Sequence, residues 1–158
     1  MTPNKSLTGG CLCGKIRYSL AASAQPVYSV ICHCINCKKS SGTHMVNVSI
    51  FLKSHFTLDS DITLKAYEDA CTDSGTPVYR HFCGDCGSPV YITTPLVEDI
   101  VSIFSGTLDE AGGWWRPNKE QYIETKSHWL PDLAVVKKDG VPERHPRGPL
   151  GEQSFEAK

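Results

Sequence analysis

Seven of the eight cysteines in this chain fall into three tight motifs: C-x-C at Cys11 and Cys13, C-x-C-x-x-C at Cys32, Cys34 and Cys37, and C-x-x-C at Cys83 and Cys86. Such clustering is the spacing of metal ligands, and a disulfide framework has no need of it. A closed zinc site takes four protein ligands, usually Cys or His, whereas a zinc held by three keeps a position for water or a substrate atom. The central stretch, Cys32-His33-Cys34-Ile35-Asn36-Cys37, offers three thiols, one short of closure. An open zinc position is therefore the functional expectation.

A length of 158 residues suits one domain with a single core. No apolar run approaches the ~20 residues that cross a bilayer, and the N-terminus lacks the basic and apolar regions of a signal peptide. The expected location is the cytoplasm, where thiols stay reduced. A formal net charge of −1 argues against broad nucleic-acid binding.

Along the chain, period-two alternation predicts short strands. Ile16, Tyr18 and Leu20 share one face of a strand over Lys15 to Leu20, after a glycine-flanked turn at Gly9 to Gly14. Tyr28 to Cys32 reads as a strand that delivers the central thiols. Cys34 to Ser41 reads as a short helical turn ended by Gly42, and Thr43 to Phe51 resumes alternation with Val46, Val48 and Ile50 on one face. Further strands are expected over Phe56 to Leu58, Ile62 to Tyr67, Val78 to Phe82, Pro89 to Thr93, Asp99 to Phe104 and, last, Gln121 to Thr125. Leu108 to Pro117, with Gly112-Gly113-Trp114-Trp115, reads as an exposed or lid-like loop. The expected organisation is a lead (residues 1–7), a domain (8–133) and a loosely held tail (134–158), mostly β with short helical turns.

Spacing leaves two partitions of the thiols open. Cys11 and Cys13 can join Cys83 and Cys86, leaving a three-thiol site; alternatively Cys34 and Cys37 can join Cys83 and Cys86 as a zinc ribbon. The first uses seven thiols, and the second leaves Cys11, Cys13 and Cys32 without an evident role.

Gly10-Cys11-Leu12-Cys13-Gly14, Cys32-His33-Cys34-Ile35-Asn36-Cys37-Lys38-Lys39-Ser40-Ser41-Gly42 and Phe82-Cys83-Gly84-Asp85-Cys86-Gly87, in that order, resemble the glutathione-dependent formaldehyde-activating family, also called centromere-protein-V-like. The resemblance extends through Ser105-Gly106-Thr107-Leu108-Asp109 and the Trp129-Leu130 region. It implies a small zinc-stabilised multi-sheet (β-tent-like) fold similar to that of methionine-R-sulfoxide reductases. It also implies a structural zinc on Cys11, Cys13, Cys83 and Cys86, and a second zinc on catalytic Cys32, Cys34 and Cys37. The implied reaction is that of a carbon–sulfur lyase, S-(hydroxymethyl)glutathione synthase, with glutathione as co-substrate and formaldehyde as the aldehyde. One departure is visible: Pro117 leads to Gln121-Tyr122-Ile123 without the histidine of the family's Pro-x-x-His-Ile stretch.

A zinc on three thiolates carries net charge −1, which suits it to activating a thiol rather than generating hydroxide. Glutathione's carboxylates would need cations, and Lys38, Lys39, Arg17 and Arg80 are candidates; each reads equally as a solvated surface charge. His33 is either a hydrogen-bonding support for the ligands or a strand-edge histidine without a role. His33, His44 and His81 are alternative fourth ligands that would make the second site purely structural. Cys71 reads as a free, partly buried thiol. Trp114 and Trp115 either cover a substrate or anchor their loop. The competing functions are another thiol and aldehyde pair, a non-catalytic interaction module, and a redox switch at Cys34 and Cys37. For the module, Lys137, Lys138 and the Arg144 to Arg147 region form a shorter basic stretch than chromatin binding favours.

Overall fold

The computed structural model describes residues 6–110 and 115–133 and the backbone of 143–145. Its strands are β1 (Leu7–Gly10), β2 (Arg17–Leu20), β3 (Tyr28–Cys32), β4 (Val46–Leu52), β5 (Phe56–Ser60), β6 (Leu64–Asp69), β7 (Val78–Cys83), β8 (Pro89–Thr93), β9 (Ile100–Phe104), β10 (Lys119–Gln121) and β11 (Glu143–His145), with one α-helix, α1 (Ile35–Ser41). The fold is mostly β, as the alternation predicts. A three-stranded antiparallel sheet has the order β1-β2-β5, and an eight-stranded sheet the order β11-β10-β3-β4-β9-β8-β7-β6. Among the described residues no helix is long and apolar enough to cross a membrane.

The alternation in β2 and β4 decides the layering. Ile16, Tyr18 and Leu20 are fully enclosed and meet Phe51, Val101 and Ile103 of the large sheet, so the small sheet covers one of its faces. Fully burying each such aliphatic or aromatic side chain contributes roughly 1.5–3 kcal/mol. Val46, Val48 and Ile50 point the other way and join Val30, Cys32, Cys37 and Phe104 in a second cluster beneath α1. The three-thiol site is thus built on the face of the large sheet opposite the small one.

β1 is a strand that the sequence reading placed within the lead and a turn. Its glycines explain the difference, since glycine carries no strand-forming side chain. Gly9 is needed for close approach: a Cβ there would lie 2.3 Å from the Tyr18 hydroxyl and 2.6 Å from the Thr107 carbonyl. The predicted last strand at Gln121 to Thr125 is corrected. Lys119–Gln121 form β10, parallel to β3, and then Tyr122 turns out of the strand at φ 58° before a 3-10 turn over Ile123–Thr125. Of the expected tail, only the backbone of Glu143–His145 lies within the described residues, where it runs parallel to β10.

Candidate metal and thiol site

The first thiol cluster forms where two loops meet. After β1 the chain doubles back, with Gly14 at φ 78° and its amide on the Cys11 carbonyl, so that Cys11 and Cys13 turn toward each other. After β7 the loop Cys83 to Gly87 closes in the same way, with Gly87 at φ 73°. All four sulfurs lie within 4.8 Å of one another. Cys11 and Cys13 are separated by 3.5 Å, and Cys13 and Cys83 by 3.7 Å. Four sulfurs at zinc-bond length around a tetrahedral ion would be about 3.8 Å apart. The set therefore fits such an ion.

The loops place hydrogen-bond donors on two of these sulfurs, while sharing with Cys11 pushes the Cys13 thiol up to about 12. The Ile16 amide donates to Cys11 at 3.2 Å, and the hydroxyl and amide of Ser88 hold Cys86 down at about 5. Lys15 and Asp85 pair across the two loops.

The second cluster contains Cys32, Cys34 and Cys37, whose sulfurs again lie within 4.8 Å of one another. Cys32 ends β3. Cys34 is the N-cap of α1, where its sulfur accepts from the Cys37 amide at 3.3 Å, and Cys37 is buried in the first turn. Gly42, at φ 68°, ends the helix as predicted. Hydrogen bonds from Cys32 and Cys34, with the Arg80 guanidinium nearby, hold the Cys37 thiol well below its ordinary range. Sharing with Cys32 and Cys37 pushes the Cys34 thiol up. Arg80 Nη1 stands 3.8 Å from the Cys37 sulfur, while Nε and Nη2 bind Asp69 at 2.9 and 2.8 Å.

Among the described residues no histidine completes this cluster. His33 is fully enclosed and bonds Glu120 through Nε2 at 2.8 Å, which makes it a support for the strand that carries Cys32. His44 bonds Ser127, and His81 stacks on Tyr91 and bonds Thr93. Among the described residues these three thiols have no fourth ligand, and they stand in the wall of a cavity of about 220 Å³. Asp73, Arg80 and Tyr122 line the same cavity.

Arg80 is the cation candidate that reaches this cavity. Lys38 instead donates to the Thr125 carbonyl at 2.6 Å, and Arg17 pairs with Asp109 beside the small sheet. Lys39 lines a second cavity, of about 610 Å³, on the other side of Arg80 and Asn36. Cys71 lines that cavity too and is exposed, which corrects the expectation of a partly buried thiol. Trp115 packs edge-on against Phe51 and donates to Ser49 at 2.7 Å, the anchoring role. Trp114, Lys137, Lys138, Arg147 and the side chain of Arg144 lie outside the described residues.

Three residues of the site carried no readable signal in the sequence. Asn36 bridges both oxygens of Asp69 at 3.0 Å and the Cys71 carbonyl at 2.6 Å, stapling α1 to the end of β6. Asp73 sits in what reads as an ordinary Asp-Ser-Gly turn. Tyr122 holds a left-handed backbone conformation that costs a non-glycine residue about 1–2 kcal/mol, and it reaches the cavity wall.

Fold and site together define a small β protein with two clusters of cysteines able to hold metal ions. A family profile described as glutathione-dependent formaldehyde-activating enzyme matches residues 6–125, and the chain belongs to that family. No curated protein sequence matches the chain significantly. A crystal structure of a Rhodobacter sphaeroides protein is similar at a TM-score of 0.51 and 14% identity, covering 65% of this chain and 88% of that one. That likeness concerns the fold alone.

Proposed function

We propose that the protein is a zinc-dependent carbon–sulfur lyase that joins formaldehyde to the thiol of glutathione, with Cys11, Cys13, Cys83 and Cys86 holding a structural zinc. The observation that carries this reading is the convergence of three thiols, without a fourth protein ligand among the described residues, on the wall of a cavity. Zinc held by Cys32, Cys34 and Cys37 would supply deprotonation of the incoming thiol, whose ordinary pKa of roughly 8.5 leaves it mostly protonated at neutral pH.

The surrounding residues prepare that chemistry. Arg80 beside Cys37 favours a thiolate ligand, and Asp69 and Asn36 fix the guanidinium in place. His33 and Glu120 hold β3 against β10, so that Cys32 and Tyr122 face one cavity. Apolar Val78, Ile92 and Ile100 line the same space and limit the water that competes for an aldehyde. In the reaction the thiolate sulfur forms a bond to the carbonyl carbon. The carbon–oxygen π pair moves to oxygen, which takes up a proton equivalent to the one lost by the thiol. Neither oxidant nor reductant is needed.

The test is zinc content and glutathione binding by calorimetry on the wild type and on Cys37→Ser, followed by product formation from glutathione and formaldehyde. Two zinc ions, glutathione binding and turnover in the wild type, with loss of binding and of one zinc in a folded variant, are expected. A wild type that holds two zinc ions and ignores glutathione would overturn the assignment.

A further inference from the structure

We infer that the cavity beside Cys32, Cys34 and Cys37 recognises an ammonium group on the thiol substrate, with Asp73 as its anchor. The inference rests on the thiol-activating reading above and narrows the class of thiol.

The cavity lining carries little that would welcome an anion. Among its described residues Arg80 is the sole cation, and it is engaged by Asp69 and faces Cys37. Asp73 is nine-tenths enclosed and lines the same cavity, and its described neighbour is the Tyr122 phenol, a hydrogen-bond donor without positive charge. The three-thiolate cluster adds further negative charge when it holds a divalent ion. A buried carboxylate facing a cavity of this sign gains most from a cation.

The neighbouring hydroxyls point to the same chemistry. Thr72 Oγ1 donates its hydrogen to the Thr76 carbonyl at 2.7 Å, and Thr94 Oγ1 donates to the Pro77 carbonyl at 3.0 Å. Both line the cavity with their hydrogens committed, and each oxygen also has a second partner, the Leu96 amide at 3.2 Å for Thr94 and the Ser74 hydroxyl at 3.2 Å for Thr72, so neither has a hydrogen to give an anion. An ammonium brings three donors and no acceptor, whereas a carboxylate brings acceptors alone. Asp73 complements the first and opposes the second. In glutathione the matching group is the α-amine, and the carboxylates would lie outside this pocket.

The test is calorimetric titration of the zinc-loaded protein at pH 7 with glutathione and with glutathione acetylated on its α-amine, which share one thiol and both carboxylates. Glutathione is expected to bind about tenfold or more tightly than the acetylated form, the scale of a hydrogen bond to a charged group. Asp73→Asn should bring glutathione down to the level of the acetylated form, while Asp73→Glu should keep the preference. Equal affinity of the wild type for the two would overturn this inference and spare the thiol reading. Failure to bind either thiol would overturn both. Because the wild-type comparison decides the question, a variant that fails to fold does not rescue the proposal.

Discussion

His33 Nε2 lies 2.8 Å from Glu120 Oε1, with the two side chains 0% and 1% exposed, and this contact joins the middle of the three-thiol motif to a strand 87 positions away. Lys126 stands 3.4 Å from the same carboxylate oxygen. Removing one partner of an enclosed pair leaves the other desolvated and uncompensated. Glu120→Ala is therefore expected to lower unfolding free energy by about 3 kcal/mol. Urea unfolding at pH 7 measures it, and a loss below 1 kcal/mol would show that the pair does little for stability.

The two thiol clusters should part with metal separately. Four thiolates enclose an ion, while three leave it open to a competing ligand, so a chelator is expected to draw zinc in two phases. The first should abolish thiol binding with the far-ultraviolet spectrum unchanged. The second should unfold the protein, since a structural zinc supplies on the order of 10 kcal/mol of apparent folding energy. A single phase with simultaneous unfolding would contradict the division of roles.

Arg80 connects Asp69 to Cys37 through a planar fork that lysine lacks. Arg80→Lys keeps the charge and loses the geometry. Metal affinity of the three-thiol site is expected to fall about tenfold, the lower end for a lost support behind a ligand. Competition with a chromophoric chelator reports it. Unchanged affinity would mean that the 3.8 Å contact does not matter.

Two glycines should differ in their response to alanine. At Gly9 a Cβ would enter the Tyr18 ring and the Thr107 carbonyl, and the enclosed neighbours have little room to yield. Gly9→Ala is expected to cost at least about 2 kcal/mol. At Gly42 the space is open and the penalty is the left-handed backbone alone, about 1 kcal/mol. Thermal unfolding of the two variants gives the order, and a reversal would place the strain elsewhere.

Asp109 provides a pH test. Hydrogen bonds from Arg17 and then Thr8 hold its carboxyl down at about 2, below the usual 3.8. A carboxyl lowered in the folded state stabilises above its unfolded pKa, and that contribution fades as pH falls from about 4 toward 2. The difference in urea midpoint between wild type and Asp109→Asn should therefore be present at pH 5 and shrink by pH 2. A difference independent of pH would exclude the ion pair as its source.

The cysteine motifs, the apolar faces of β2 and β4, and the helix from Cys34 to Gly42 were legible because local spacing sets them. A thiol pair needs a loop of fixed length, a half-buried strand alternates, and a left-handed glycine stops a helix. The resemblance carried by those motifs led to the family. Between Cys34 and Cys37 as half of a ribbon and as part of a separate trio, spacing could not choose. That grouping depends on which loops meet, and β1 meets the end of β7 only through the packing of one sheet on another.

The remaining site residues were out of reach for the same reason. Asp73 lies in a turn like any other, and Glu120 in a strand of three residues. Each acquires its role from a partner far along the chain, His33 for Glu120 and the thiol-lined cavity for Asp73. By itself the sequence determined the chemistry available to this protein, because ligand type and local spacing are properties of neighbouring residues. The tertiary structure alone decided which thiols come together, where the cavity lies and which charges face it, because those follow from contacts between segments that share no sequence neighbourhood.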